Sequence, residues 1–205
     1  MRGLGPRWVS APAAGGKNRF GGGVEPLTWA EFSLYQSPSR LYLQGLEVKE
    51  DFLSLRSSPS SLLCALRLYR LAAKEAPLDC ENDMLLRILW SAMLQLKEKS
   101  PPYTVEFRFT WRLLNLMGIA PTFDLCVVCG ASLAGGGVFT EEGILCKSCG
   151  AQSKLPACSS EELSLLRAAA ALPHEKFILW SAGRDEKEFF LKNIRTLSPY
   201  FRNMR

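Results

Sequence analysis

The chain has 205 residues, 47% hydrophobic and 22% charged, with a formal net charge of +5. That length holds one ordinary domain or two small ones, which excludes a long multidomain enzyme, and the composition is that of a folded chain rather than a disordered one. No apolar run approaches the roughly 20 residues that cross a bilayer, and the N-terminus lacks the apolar core of a signal peptide, so a cytoplasmic protein is expected.

Residues 1–23 are rich in Gly, Ala and Pro and carry Arg2, Arg7, Lys17 and Arg19 with no acid. This stretch reads as a loop or flexible arm. Residues 189–205 carry Lys192, Arg195, Arg202 and Arg205, again with no acid, so the two ends hold +8 and leave −3 for the middle. Basic ends of this kind attract polyanions at long range, nucleic acid above all, although a solubilising role has the same charge pattern.

Residues 27–35 and 41–48 are short runs with β-branched or aromatic residues and partial alternation, separated by Gln36-Ser37-Pro38-Ser39, and predict two antiparallel strands of a small β domain. Two strands do not make a stable sheet alone, so the arm must add a strand or the unit must lean on the helical segments C-terminal to it. Trp29, Phe32 and Tyr35 are flat enough to stack on bases, but at strand spacing their expected role is core packing.

From Pro59 the period is helical. Ser60 is expected to cap a helix running to about Ala76, where Pro77 stops it, and Asp79 to start a second reaching about Lys99. Pro101 and Pro102 suit the first turn of a third helix that ends at Gly118 and is apolar on nearly all sides, hence central in a bundle. Ser159-Ser160-Glu161-Glu162 is a capping box opening a fourth helix to about Leu172. A short helix around Phe177 to Trp180 and a last one from Asp185, interrupted at Pro199, complete an α+β chain that is mostly α.

Cysteine usage carries the strongest signal. The count is odd at seven, and no export signal precedes them, which argues against a disulfide framework. Cys64 and Cys80 sit in apolar helical patterns and read as small buried hydrophobes. Cys126-Val127-Val128-Cys129 and Cys146-Lys147-Ser148-Cys149 are two CxxC pairs with sixteen residues between them. Two residues between cysteines let a tight turn aim both sulfurs at one point, and two such knuckles close a tetrahedron around a metal. Four thiolates leave no open coordination position, so such a site is structural. Gly130 and Gly150 are expected to let backbone amides approach the sulfurs, and residues 135–145 to form a hairpin of the zinc-ribbon type. The other readings are two disulfides, a redox dithiol, or iron on the same ligands; zinc is favoured over iron because such sites are commoner. Cys158 has no CxxC partner and is not expected to ligate.

Catalytic constellations are missing. His174 is the single histidine, follows Pro173, and is expected to be a surface residue in a loop. Gly16-Lys17-Asn18 has the outline of a phosphate loop but fails at both ends, because the required first glycine falls on Ala11 and Asn18 replaces Ser or Thr.

Lys17-Asn18-Arg19-Phe20, three glycines and Val24-Glu25-Pro26-Leu27, then a strand pair, a helical bundle, and Cys126-Val127-Val128-Cys129-Gly130 with Cys146-Lys147-Ser148-Cys149, together resemble the RecO family of DNA repair and recombination mediators, from about Lys17 onward. The resemblance implies an N-terminal OB fold over residues 1–52, a helical domain over 53–205 and a structural Zn2+ insertion at 124–150 held by the four cysteines. It also implies a non-enzymatic mediator, cytoplasmic and associated with the nucleoid. Such a protein binds single- and double-stranded DNA, anneals complementary strands, contacts RecR and the single-strand-binding protein, and assists RecA loading. Lys17 and Arg19 are then the expected DNA contacts, at the mouth of the OB fold. Members of that family have the first OB strands before the basic-glycine stretch, where this sequence has residues 1–16, so the barrel is expected to be incomplete. A zinc-ribbon interaction protein of transcription or translation and a thiol-disulfide enzyme share the cysteines without the upstream stretch.

Overall fold

The computed structural model describes residues 6–12, 20–77 and 80–201. The chain forms two compact units, residues 1–86 and 87–205. Among the described residues it is a mixed α+β protein with six α-helices and two three-stranded sheets.

In the first unit, β2 (Trp29–Gln36) and β3 (Leu41–Glu50) are antiparallel, registered from Trp29 opposite Glu50 to Gln36 opposite Leu41. Their turn is built as the sequence demands. Pro38 presets the bend, the Ser37 N–H donates to the Arg40 carbonyl at 2.9 Å, and the Arg40 N–H donates to Ser37 Oγ at 3.0 Å. The arm does supply a strand: β1 (Val9–Ser10) pairs in parallel with β3, Val9 opposite Leu41 and Ser10 opposite Tyr42, so β3 is central. The described residues thus give this unit three strands.

A 3₁₀ turn, Gly21–Val24, lies over β3. A Cβ on Gly23 would stand 2.3 Å from Leu46 Cδ1, so only glycine fits that approach. Phe20, Leu27, Leu43, Phe52 and Leu55 are the buried apolar residues of this part. The aromatic expectation fails on β2 for Phe32, which is exposed, and for Tyr35, which is 53% exposed, whereas Trp29 is half-buried. Residues three apart alternate between the faces of a strand, so the three rings do not form one inward row, and the register shifts leave their extra residues, Gln44 and Lys49, in β3.

Helix α1 (Pro59–Glu75) begins earlier than expected. Ser58, not Ser60, is the cap, accepting from the Ser61 N–H, because Pro59 is ideal at the first helical position and has no N–H to satisfy. Cys64, Ala65, Leu68 and Ala72 line its buried stripe.

Helix α2 (Asp83–Lys97) starts four residues later than Asp79. The Asn82 side chain closes the preceding turn, its Nδ2 donating to the carbonyls of Pro77 at 3.0 Å and Cys80 at 3.1 Å. Cys80 is therefore exposed ahead of the helix rather than buried within it.

The second unit is organised around α3 (Pro102–Leu116), whose Val105, Phe107, Arg108, Phe109, Leu113 and Leu114 are all buried. Gly118, in the left-handed region at φ 77°, ends it. Helices α4 (Ser160–Ala171) and α6 (Lys187–Leu197) pack on α3, the Phe107 and Phe190 rings meeting at 5.5 Å, while the shorter α5 (His174–Ser181) packs on α4. The capping box is formed, with Ser159 Oγ accepting from the Glu162 N–H and Glu162 Oε2 from the Ser159 N–H. Pro199 ends α6 and a 3₁₀ turn, Ser198–Phe201, follows. Among the described residues no helix is long and apolar enough to cross a membrane.

Candidate metal centre

Between α3 and α4 the chain crosses to a small module by way of Phe123. Its ring stacks on Trp111 at 5.8 Å and meets Phe139 edge-on at 6.2 Å, and Trp111 Nε1 donates to the Pro121 carbonyl at 3.1 Å. From α4, Arg167 donates to the Phe123 carbonyl and to Asp124 Oδ1, both at 2.9 Å. The backbone entering the cysteine segment is thus held from α3 and α4 before any metal is considered.

The module's sheet has β4 (Gly137–Phe139) at its centre, antiparallel to β5 (Ile144–Leu145) and to β6 (Ala157–Cys158). The hairpin of β4 and β5 was legible in the sequence; β6 was not, because two residues carry no period. A Cβ on Gly137 would fall 2.5 Å from the Leu145 carbonyl, so glycine lets the strands close.

Two knuckles of the same design bracket this hairpin. The Gly130 N–H donates to the Cys126 carbonyl at 2.9 Å and the Gly150 N–H to the Cys146 carbonyl at 2.8 Å. Gly130 has φ 69°, while a Cβ on Gly150 would press on Val138 Cγ2 at 2.8 Å. The glycines therefore serve turn geometry and close packing, and amides of other residues reach the sulfurs, that of Cys149 donating to Cys146 Sγ at 3.5 Å. The Val127 N–H donates to the Ile144 carbonyl at 3.0 Å, tying the first knuckle to the strand that leads into the second.

The sulfurs of Cys126, Cys129, Cys146 and Cys149 lie within 4.8 Å of one another, with Cys129 and Cys146 at 3.7 Å. A tetrahedron with metal–sulfur bonds of about 2.3 Å has sulfurs about 3.8 Å apart. The short pair joins different knuckles and exceeds the roughly 2.05 Å of a disulfide. The quartet therefore fits one metal ion.

Electrostatics points the same way. The backbone N–H of Cys129, with those of Cys146 and Val128, pulls the Cys126 thiol down to about 6, and the Cys149 N–H lowers Cys146. Hydrogen bonding with Cys129 and Cys146 pushes Cys149 up to about 12. Four neighbouring sulfurs ionise together only when a cation offsets their mutual repulsion. Cys126 and Cys146 are buried, so a bound ion would be shielded on that side. Such a closed four-sulfur site organises chain and performs no chemistry.

The remaining expectations fall elsewhere. Cys158 stands opposite Gly137 in β6, outside the quartet, and burial with Glu162 beside it pushes its thiol up to about 12. Lys17 and Arg19 lie outside the described residues. His174 opens α5 rather than sitting in a loop; its Nδ1 is 3.1 Å from Ser91 Oγ and 3.3 Å from Gln95 Nε2, so the ring joins a half-buried polar cluster with α2.

Arg108 and Arg112 had no expected role, although arginines four apart in a nearly all-apolar helix are a signal. Arg108 is 1% exposed and donates to the carbonyls of Ala169 at 2.6 Å, Ala170 and Leu172, while Arg112 reaches Ala170 and Leu172 at 3.3 Å. Burial lowers Arg108 to about 9, which leaves it charged at neutral pH. Cations so placed satisfy the orphan carbonyls and negative dipole end of α4.

Comparison with known proteins bears on the whole arrangement. Residues 56–188, which include all four cysteines, match the family described as Recombination protein O C terminal. The chain is 31% identical to the DNA repair protein RecO of Anaeromyxobacter sp. (strain K) over 198 residues, covering 88% of this chain and 76% of that protein. It is 28% identical to the protein of the same name from Alkaliphilus metalliredigens, covering 62% and 53% of the two, and 25% identical to that of Thermodesulfovibrio yellowstonii, covering 65% and 54%.

Proposed function

Since the chain belongs to the recombination protein O family, we propose that it is a DNA-binding mediator of repair and recombination that works without covalent chemistry. The observation that carries this reading is the family match over 56–188 enclosing the closed cysteine quartet. In this reading the quartet holds one structural Zn2+, residues 1–52 form an OB-like DNA-binding domain, residues 53–205 are the helical domain with the metal insertion at 124–150, and the protein works in the cytoplasm at the nucleoid. It anneals complementary strands and assists RecA loading together with RecR and the single-strand-binding protein. Affinity comes mainly from phosphates, with Lys17 and Arg19 as contacts, supported by the acid-free basic stretch that holds them.

The test is binding of single- and double-stranded oligonucleotides as a function of salt, with a strand-annealing assay alongside. Log affinity falls linearly with log salt, and replacing both Lys17 and Arg19 with Ala reduces the single-strand slope by roughly one unit or more, at about 0.7 per phosphate contact. Sequence preference stays unchanged, because phosphate contacts position without reading bases. Salt-insensitive or undetectable binding overturns the reading. The alternative, a zinc-ribbon interaction protein of transcription or translation, draws support from exposed Leu125, Val127 and Val128 around the first knuckle; it predicts a protein partner and no annealing.

A further inference from the structure

At the hairpin end of the first sheet, an open groove of about 610 Å³ is lined by Arg7, Trp8, Gln36, Ser39 and Arg40 among others. Its shape follows from the strand pairing. Parallel pairing of Val9 with Leu41 sets Arg7 and Trp8, the residues before β1, beside Ser39 and Arg40, the residues before β3. Two guanidinium groups line the groove and no acid does, so its field is positive.

Trp8 is 98% exposed, the most exposed large hydrophobic side chain among the described residues. An indole left in water contributes almost no burial to folding, and a flat π surface beside paired arginines is what an unstacked base with its phosphate requires. Tyr35 and Tyr42 stand opposite each other one register step from this end, and Tyr35 is itself mostly exposed. The volume lies within the roughly 300–1,000 Å³ of small-ligand sites.

We propose that this groove is a nucleotide subsite for single-stranded nucleic acid, in which one base stacks on Trp8 and its phosphate is held by Arg7 and Arg40. The proposal rests on the DNA-binding reading above and adds residues that neither the basic-glycine stretch nor the cysteine module contains. A duplex keeps its bases stacked and paired, so the indole has no face to offer it; the arginines still meet its phosphates. The groove therefore discriminates single from double strands.

The experiment uses the full chain, a dye-labelled oligodeoxythymidylate and a labelled duplex, with binding followed over a salt series. Trp8→Ala, Trp8→Phe, Arg7→Ala and Arg40→Ala are compared with the unaltered chain and with Leu179→Ala, an exposed apolar residue of α5, as control. Trp8→Ala weakens single-strand binding by about five- to hundred-fold, Trp8→Phe keeps most of it, and duplex binding changes less than twofold. Arg7→Ala and Arg40→Ala each reduce the single-strand salt slope by about 0.7. Because Trp8 buries almost nothing, its variants keep the same unfolding midpoint, so a fold defect does not imitate the effect. Single-strand affinity and salt slope that survive all of these substitutions overturn the subsite while leaving the DNA reading standing. An unaltered chain that binds neither probe overturns both.

Discussion

The phenolic hydroxyl of Tyr200 donates to the backbone carbonyl of Thr140 at 2.7 Å. Thr140 turns the hairpin between the two cysteine knuckles, with both its N–H and its Oγ1 donating to the Gly143 carbonyl at 2.8 Å, and Tyr200 belongs to the 3₁₀ turn after α6. One hydrogen bond thus fastens the C-terminal turn to the cysteine module, sixty residues away in sequence.

Tyr200→Phe removes that bond and keeps the ring. It is expected to cost about 1 kcal/mol, lowering the midpoint of thermal unfolding by about 2–4 °C for a chain of this size. Burial, first, and then Glu141 raise the Tyr200 phenol above its ordinary range. An unfolded tyrosine loses its proton near pH 10, whereas folded Tyr200 keeps it to higher pH. The unfolded state then binds fewer protons, so stability falls as pH rises above about 10. The loss should be smaller in Tyr200→Phe, which urea denaturation at pH 8 and pH 11 would measure; equal losses in the two chains would remove the titration from Tyr200.

Cys126→Ser takes one sulfur from the quartet and is expected to bring metal content well below one ion per chain by elemental analysis of protein purified under reducing conditions. Hydrogen exchange should quicken over 124–158 and over the 3₁₀ turn Ser198–Phe201 that Tyr200 ties to it. The slow amides of α3, whose core is apolar and independent of the sulfurs, should keep their protection. Stoichiometric metal in Cys126→Ser would show that the quartet is not the ligand set.

Arg108→Leu keeps apolar bulk but takes the guanidinium from the Ala169 carbonyl and leaves those of Ala170 and Leu172 with the longer contacts of Arg112 alone. The expected loss is about 3 kcal/mol by urea denaturation, with Arg112→Leu costing about 1, since its contacts are longer. Arg108→Lys is expected to lie between unaltered chain and Leu variant, because a single ammonium cannot span carbonyls that the guanidinium fork bridges. A fully stable Arg108→Leu would mean that these carbonyls find water instead.

Cys64→Ala and Cys80→Ala separate two cysteines that the sequence treated alike. Cys64 is buried and its loss should cost on the order of 1 kcal/mol, whereas Cys80 is exposed and its replacement should stay within about 0.5 kcal/mol of the unaltered chain. Neither should change metal content, which elemental analysis of the same preparations checks.

What the sequence determined by itself was local chemistry. Two CxxC pairs, a capping box at Ser159, prolines at 77, 101 and 102, and Gly118 each act within a few residues of chain, so the cysteine quartet, the hairpin between its halves and the helical frame around it were legible without coordinates. Tertiary structure decided what depends on the far side of a contact. Cys80 and Cys64 share an apolar pattern, yet Asn82 closes a turn that leaves only Cys64 inside. The sheet leaves Phe32 and Tyr35 facing water, and parallel pairing of β1 with β3 gathers Arg7, Trp8 and Arg40 around one groove. Arg108 is buried because the end of α4 offers it three carbonyls, of Ala169, Ala170 and Leu172, the last two shared with Arg112. Periodicity reports which face of an element is apolar, but burial, strand partners and hydrogen-bond partners are set by groups tens of residues away, and no local pattern encodes them.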